Sequence, residues 1–321
     1  MILVQRNRFL WILTSLLILL VVPAVAWVEE QPTLRFADQD RIGSVIPILA
    51  AKKGFFVEEG LRVEPLRFNN GPACAEALYT GAADIGSMGD AAAIIMAVRN
   101  PKFVIIGSLA TGEHRHRIMV RKDATLQTIQ DLRGMRLGVK KGTSTHGGLL
   151  ATMTKAGLSP TDLDIIDLSP STSIDALLAG SLDAFAASEP TPTAAEQKGA
   201  RQLATLGGLG NEYPVLLVAD STFLQRQPET VKRFMRALEK GAQYVAGHQE
   251  ETAAFMASET GLSNEATIGA MQRHAYHLRL DASIQSSLQQ TALFLQQQRF
   301  LEKTPDWTVT RIHDFIVLEN N

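Results

Sequence analysis

A chain of 321 residues, 45% hydrophobic and 20% charged, with a formal net charge of −2, is long for one compact domain and comfortable for two. Ordinary Gly and Pro counts exclude collagen-like, low-complexity and disordered chains, and the slightly acidic balance argues against a nucleic-acid partner. A single cysteine, Cys74, leaves no intramolecular disulfide and no Cys-rich zinc or iron–sulfur site.

The chain opens with one long apolar run. Arg6 and Arg8 precede Phe9–Val22, which is broken only by Thr14 and Ser15; Pro23 and Ala24-Val25-Ala26 follow. A basic start, an apolar stretch of this length and a small-x-small site read as a cleaved secretory signal over residues 1–26. The mature protein is then expected to begin at Trp27 as a soluble monomer. An uncleaved anchor is the alternative, although the run is short for a membrane span. No Cys follows the run, so lipid anchoring is not expected, and export without a disulfide framework points to a bacterial periplasm.

The remainder repeats itself. Glu76–Ile85 recurs loosely as Asp175–Ala184, 99 residues later, and Leu34–Ala37 answers Met135–Gly138 at an offset of 101. Lys53-Gly54-Phe55 likewise answers Ala156-Gly157-Leu158, and Val63–Leu66 answers Ile165–Leu168. In chain order the first unit reads as strand Leu34–Ala37, helix Val45–Lys53, strand Arg62–Phe68, helix Pro72–Thr80 and strand Asp84–Ser87. Asp90 is then expected to cap an apolar helix, Ala91–Val98, before the β-branched strand Phe103–Leu109. The second unit reads as strands Arg136–Val139, Asp164–Leu168 and Asp183–Ala187, with helices Thr145–Ala156 and Ser171–Ala179. Helices stop at Gly54, Gly81, Gly157 and Gly180, the residue type that closes helices most readily. Alternating strands and helices predict parallel sheets with helices on both faces, here as two tandem α/β lobes.

Two extended segments, Arg117–Arg121 and Tyr213–Ala219, are expected to cross between the lobes and form a hinge beside a cleft. From Pro228 to Arg299 the apolar spacing is almost wholly helical. The predicted domains are therefore residues 33–118 with 217–302, residues 119–216, and a tail over 303–321.

In open α/β sheets ligands sit beyond the carboxyl ends of the strands, where helix starts offer unpaired N–H groups to anions. The richest such turn is Lys140-Lys141-Gly142-Thr143-Ser144-Thr145-His146, with three hydroxyls and an imidazole; its repeat partner is Gly43-Ser44. The third strands end at Asp90 and Glu189, at equivalent places in the two units. Each is either a helix cap or a carboxylate facing the ligand, where it would suit an ammonium or another donor. His114 and His116 lie among arginines that oppose a cation, His274 and His277 lack a partner acid at zinc spacing, and Cys74 reads as a small buried residue. No metal or cofactor is expected, and neither a nucleophile elbow nor a P-loop nor a dinucleotide fingerprint occurs.

At these residues the sequence resembles the aliphatic sulfonate, taurine and nitrate branch of ABC-transporter substrate-binding proteins. Leu34–Phe68, Asn70-Gly71-Pro72, Gly81–Asp90, Lys141–Leu150 and Ala187–Thr191 carry the likeness. The resemblance implies a type II periplasmic-binding-protein fold with a central cleft and two-segment hinge, closure on a small anionic solute, and delivery to a membrane permease driven by an ATPase, with no catalysis. It implies ligand contacts at Ser44, Pro72, Asp90, Thr143, Ser144, Thr145, His146 and Glu189. Members of the branch often carry an aromatic residue and Asp before the proline, where this chain has Ser188-Glu189-Pro190, so the ligand stays open. A binder of a pyrimidine precursor, a tethered sensor domain and a pyrimidine-synthesising enzyme are the alternatives.

Overall fold

The protein, described here from a computed structural model, is defined over residues 32–39 and 42–310. The expected signal segment and the end of the expected tail lie outside the described residues. Among the described residues no helix is long and apolar enough to cross a membrane.

The first sheet has six strands and the second five. The opening unit is β1 (Thr33–Gln39), α1 (Val45–Lys52), β2 (Arg62–Phe68), α2 (Gly71–Tyr79), β3 (Ile85–Gly89), α3 (Asp90–Arg99) and β4 (Phe103–Thr111). The chain then leaves as β5 (His116–Arg121) for the second unit: β6 (Arg136–Val139), α4 (Ser144–Lys155), β7 (Asp164–Asp167), α5 (Pro170–Leu178), β8 (Ala184–Ser188), α6 (Thr191–Gln197) and β9 (Ala200–Thr205). It returns as β10 (Val215–Asp220) and continues through α7 (Ser221–Arg226), α8 (Pro228–Gly247), α9 (Gln249–Thr260), α10 (Asn264–Met271), β11 (Ala275–Arg279) and α11 (Ala282–Gln297).

The sheets are mixed, which corrects the expectation of parallel ones. Within each, three strands are parallel: β2-β1-β3 and β7-β6-β8. The crossing strand lies antiparallel beside the third of these, β10 against β3 and β5 against β8. The reason is directional. A strand arriving from the other lobe enters at the cleft, where the parallel strands end, and so runs back along them. Each lobe thus completes its sheet with a strand from the crossing, and the backbone outside both sheets is 112–115 and 206–214. Of the segments expected to bend, Arg117–Arg121 lies within β5 and Val215–Ala219 within β10, both interior strands paired on both sides, and only Tyr213-Pro214 falls outside the sheets.

The duplication is visible in one repeated contact. Arg35 on β1 pairs with Asp84 at 2.7 Å and donates to the Gly81 carbonyl at 2.7 Å. Arg136 on β6 pairs with Asp183 at 2.9 Å and donates to the Gly180 carbonyl at 2.8 Å. These half-exposed pairs contribute about 1 kcal/mol or less each; their value is positional, tying the opening strand to the start of the third. Stability comes from the apolar clusters on the faces of the sheets. Phe36, Phe56 and Phe234 join β1, the one-turn helix Phe55–Glu58 that follows α1, and α8, and Ile118, Leu137, Leu149 and Met153 fill the second lobe.

Two further readings change. β11 interrupts it as a short edge strand on β4, so His274 stands in a turn and His277 in a strand, not one helical turn apart. Five residues with a half-buried pattern carry too little periodicity to distinguish a strand from a helix. Asp90 is the first residue of α3, and Gly89 occupies the capping position.

Candidate functional site

β6 ends at Val139 and the chain turns through Gly142, whose φ of 75° lies in the left-handed region that favours glycine. Thr143 caps α4: its Oγ1 accepts from the His146 N–H at 3.3 Å and its carbonyl accepts from Gly147 at 3.0 Å. The N–H groups of Ser144 and Thr145 have no acceptor within the helix. Beside them the Ser144 hydroxyl is buried without a hydrogen-bond partner. It faces β3 so closely that a Cβ at Gly89 would lie 2.3 Å from its Oγ. Gly89 is therefore required for the two lobes to approach here.

The cavity at this point has a volume of about 20 Å³, room for roughly one water. Gln39, Gly43, Ser44, Gly71, Gly89 and Ala92 wall it from the first lobe, and Thr143, Ser144 and Thr145 from the second. Its floor is the crossing: Arg115, His116 and Val215. Arg115 is buried, donating to Ser188 Oγ and to the Tyr213 carbonyl, both at 2.7 Å. His116 Nδ1 lies 2.8 Å from Thr145 Oγ1, and its ring packs at 4.7 Å on Tyr213. Tyr213 itself holds φ at 46°, a left-handed conformation fixed by hydrogen bonds from its N–H to Asn211 and from its hydroxyl to the Leu206 carbonyl. No lining residue is acidic. A guanidinium, an imidazole, hydroxyls and a helix start converge on one small space, an arrangement suited to an anion.

One carboxylate stands just behind the wall. Asp38 Oδ1 accepts from Ser87 Oγ at 2.6 Å and from the Gln39 N–H at 2.9 Å. Burial pushes its carboxyl up to about 6, opposed by hydrogen bonds from Ser87 and Ser44. At neutral pH the group is still mainly the carboxylate, and it gains a neutral fraction only as the pH falls towards 6.

Of the residues expected at the site, Ser44, Thr143, Ser144 and Thr145 line the cavity. Pro72 stands opposite the turn before α4, its Cγ 4.0 Å from where a Gly142 Cβ would be. His146 contributes its N–H to the cap and turns its ring edge-on to Phe300 at 5.4 Å; burial, aided by Lys141, lowers its imidazole to about 4. Asp90 borders an adjoining chamber instead. Its Oδ1 accepts from the Ala91 N–H at 2.8 Å, and its Oδ2 from Thr291 at 2.8 Å and Asn211 at 3.4 Å. Glu189 lies outside the cavity lining, fully buried against Arg117 at 2.7 Å and Arg273 at 3.5 Å. Its Oε2 accepts from the Thr193 N–H at 3.3 Å.

Sequence reasoning missed Arg115 and His116 as cavity residues. Their signal was present: an anion site needs cationic donors, and both stand where the chain crosses between lobes. Among the described residues no group of three or more His, Cys, Asp or Glu could hold a metal ion. Cys74 is buried in the apolar cluster around α2.

Comparison with known proteins bears on the fold and the family. An alkanesulfonate-binding protein from Xanthomonas axonopodis pv. citri, solved bound to MOPS, superposes with a TM-score of 0.80 at 24% identity, covering 88% of this chain and 98% of that one. A desulfurization enzyme shares the fold at a TM-score of 0.72 and 18% identity, covering 89% of this chain and 97% of its own. The taurine-binding periplasmic protein of Escherichia coli is 25% identical over 268 residues, 78% of this chain and 82% of that protein. Residues 44–252 match the family described as NMT1/THI5 like. With two mixed sheets, a crossing at 112–115 and 206–214, and a cleft in which Ser44 faces the start of α4, the chain belongs to the NMT1/THI5-like family of substrate-binding proteins.

Proposed function

We propose that the protein is the solute-binding component of an ABC importer, exported to the periplasm, where as a soluble monomer it captures a small organosulfonate or similar oxyanion and delivers it to a permease driven by an ATPase. The observation that carries this reading is the Ser144 hydroxyl, buried and without a partner at the start of α4 beside two N–H groups that the helix leaves unused. An unmade hydrogen bond of this kind costs about 1–3 kcal/mol, and an oxyanion placed there relieves it. Arg115 supplies positive charge from the floor, and the hydroxyls of Ser44 and Thr145 border the same space.

The head of the ligand would first meet one lobe and then be enclosed as the other closes, bending at 112–115 and 206–214. Closure brings Gly89 against Ser144 and excludes water, which strengthens every polar contact in the cavity. Binding without turnover is the reading for this chemistry. Cys74 lies in the core, and Ser144 has no hydrogen-bonded base to make it a nucleophile.

Calorimetry and thermal unfolding with methanesulfonate, sulfate, nitrate and taurine test the proposal. A ligand at about 100 times its dissociation constant adds roughly 2.7 kcal/mol of apparent stability. Absence of binding by every oxyanion would sink the assignment.

A further inference from the structure

The two walls of the cavity differ in what their hydroxyls can still donate. On the second-lobe side the Ser144 hydroxyl has no partner, and the start of α4 adds unused N–H groups. On the first-lobe side the proton of Ser44 is already committed. Asp38, buried on β1, accepts hydrogen bonds from the hydroxyls of Ser87 and Ser44 and from the Gln39 N–H. Gln39 in turn gives its amide N–H to the Ser87 carbonyl at 3.3 Å. A carboxylate can only accept, so while Asp38 is ionised Ser44 has only oxygen lone pairs left for the ligand.

A sulfonate offers the cavity nothing but acceptor oxygens. Against Ser44 it sets lone pair to lone pair, in a buried place where water does not soften the mismatch. A head group with its own O–H or N–H avoids this. It donates to Ser44 while its remaining oxygens accept from Ser144 and the start of α4.

We infer that Asp38 is a positioning residue that, through Ser44, selects oxyanions carrying a proton of their own, such as a singly ionised phosphonate, over a bare sulfonate of the same size. The inference rests on the oxyanion reading above. A bare sulfonate is accepted once a proton from solvent converts the Asp38 carboxylate to the acid. The new O–H then donates to Ser44 Oγ, and Ser44 turns its own proton to the ligand. Burial raises the Asp38 carboxyl to about 6, which brings this proton within reach of neutral pH. The titratable and charged groups around it are Arg67, its register neighbour on β2, which favours the carboxylate, and Arg115 and His116 on the cavity floor. The first turns of α1 and α2 carry none, and Asp90 after β3 is held by Thr291 and Asn211.

Calorimetry of the full chain with methanesulfonate and sulfamate tests this, because the two share charge and shape and only sulfamate carries N–H donors. Through-space repulsion by Asp38 acts on both alike, so the ratio of their affinities isolates the hydroxyl. Between about pH 6 and about pH 8 the ratio of methanesulfonate to sulfamate affinity should fall at least about fivefold. Methanesulfonate should also take up more proton than sulfamate at the higher pH, read from the buffer dependence of the binding heat. In Asp38→Asn, which cannot titrate, the ratio should stay constant and the difference in uptake vanish. Ser44→Ala removes the hydroxyl that relays the change and repeats the measurement should the first variant not fold. A ratio that does not move with pH in the unmodified chain, one that still moves in a folded variant, or one made constant by His116→Gln with Asp38 intact would each overturn the inference while leaving the oxyanion site standing. No binding by either anion at either pH would overturn the oxyanion site itself.

Discussion

The two lobes bring equivalent positions of one repeated unit to the same cleft and use them differently. Asp90 and Glu189 both follow the third strand of their unit, and both are fully buried. Asp90 is held by neutral donors, the Ala91 N–H, Thr291 and Asn211. Glu189 is held by two guanidiniums, Arg117 on a crossing strand and Arg273 before β11. The helix starts differ too. In the first lobe Ser44 makes no side-chain cap and its hydroxyl serves Asp38, while in the second Thr143 caps α4 and Ser144 is left unengaged. One duplicated frame therefore supplies one helix start with an unengaged hydroxyl, the proposed anion-binding end, and one whose hydroxyl is spent on packing. The difference lies in what crosses beneath each, since a buried charge persists only where partners reach it.

Breaking the ion pair gives the largest expected effect. Arg117→Met leaves Glu189 buried without its nearest cation and should cost about 3–5 kcal/mol. Equilibrium urea unfolding reads this directly, and a loss below about 1 kcal/mol would contradict the pairing as described.

Acid tests the two helix starts, because the start of α1 has no counterpart to the buried His146 of α4. Its imidazole is neutral in the fold down to about pH 4, whereas the unfolded chain takes up that proton near 6.5. Stability is thus complete above pH 6.5 and falls towards pH 4, by up to about 3 kcal/mol for a shift of this size. His274 and His277, lowered by burial to about 3 and about 4, act in the same direction. Asp38 acts against it, since its raised carboxyl takes up a proton earlier in the fold than in the unfolded chain. Chemical denaturation at a series of pH values should show a shallower slope in His146→Gln, and an unaltered slope would remove His146 from the account.

Asp90→Asn keeps the shape of the site but gives up hydrogen bonds to a charged acceptor, with an expected cost of about 1.5–3 kcal/mol. A loss equal to that of Arg117→Met would erase the distinction between the two carboxylates.

Ser144→Ala gives the smallest effect and the most specific. Removing an unpartnered buried hydroxyl should leave thermal stability unchanged or slightly raised, while weakening an oxyanion by about 0.5–1.5 kcal/mol. Loss of stability with unchanged affinity would place Ser144 in packing and not in binding.

Local pattern reaches most of the frame. The strands Arg62–Phe68 and Arg136–Val139 lie where their composition puts them, and α4 starts one residue before the expected Thr145, because periodicity, terminal glycines and hydroxyl caps are short-range signals. The antiparallel crossing strands, β11, and the positions of Arg115 and His116 escape such reading. Each depends on a partner distant in the chain: β10 pairs with both β3 and β4, and Arg115 reaches Ser188 and Tyr213.

By itself the sequence determined the duplication, the alternation of strand and helix, and the hydroxyl-rich turn before α4, since all three are written in neighbouring residues or in a constant offset. Only the tertiary structure decided which carboxylates would face a ligand. Glu189 is turned to Arg117 and Arg273, and Asp90 to Thr291 and Asn211. A side chain at the end of a strand spends its charge on whichever partner the other lobe presents, and that partner is fixed by the path of the chain and not by local sequence.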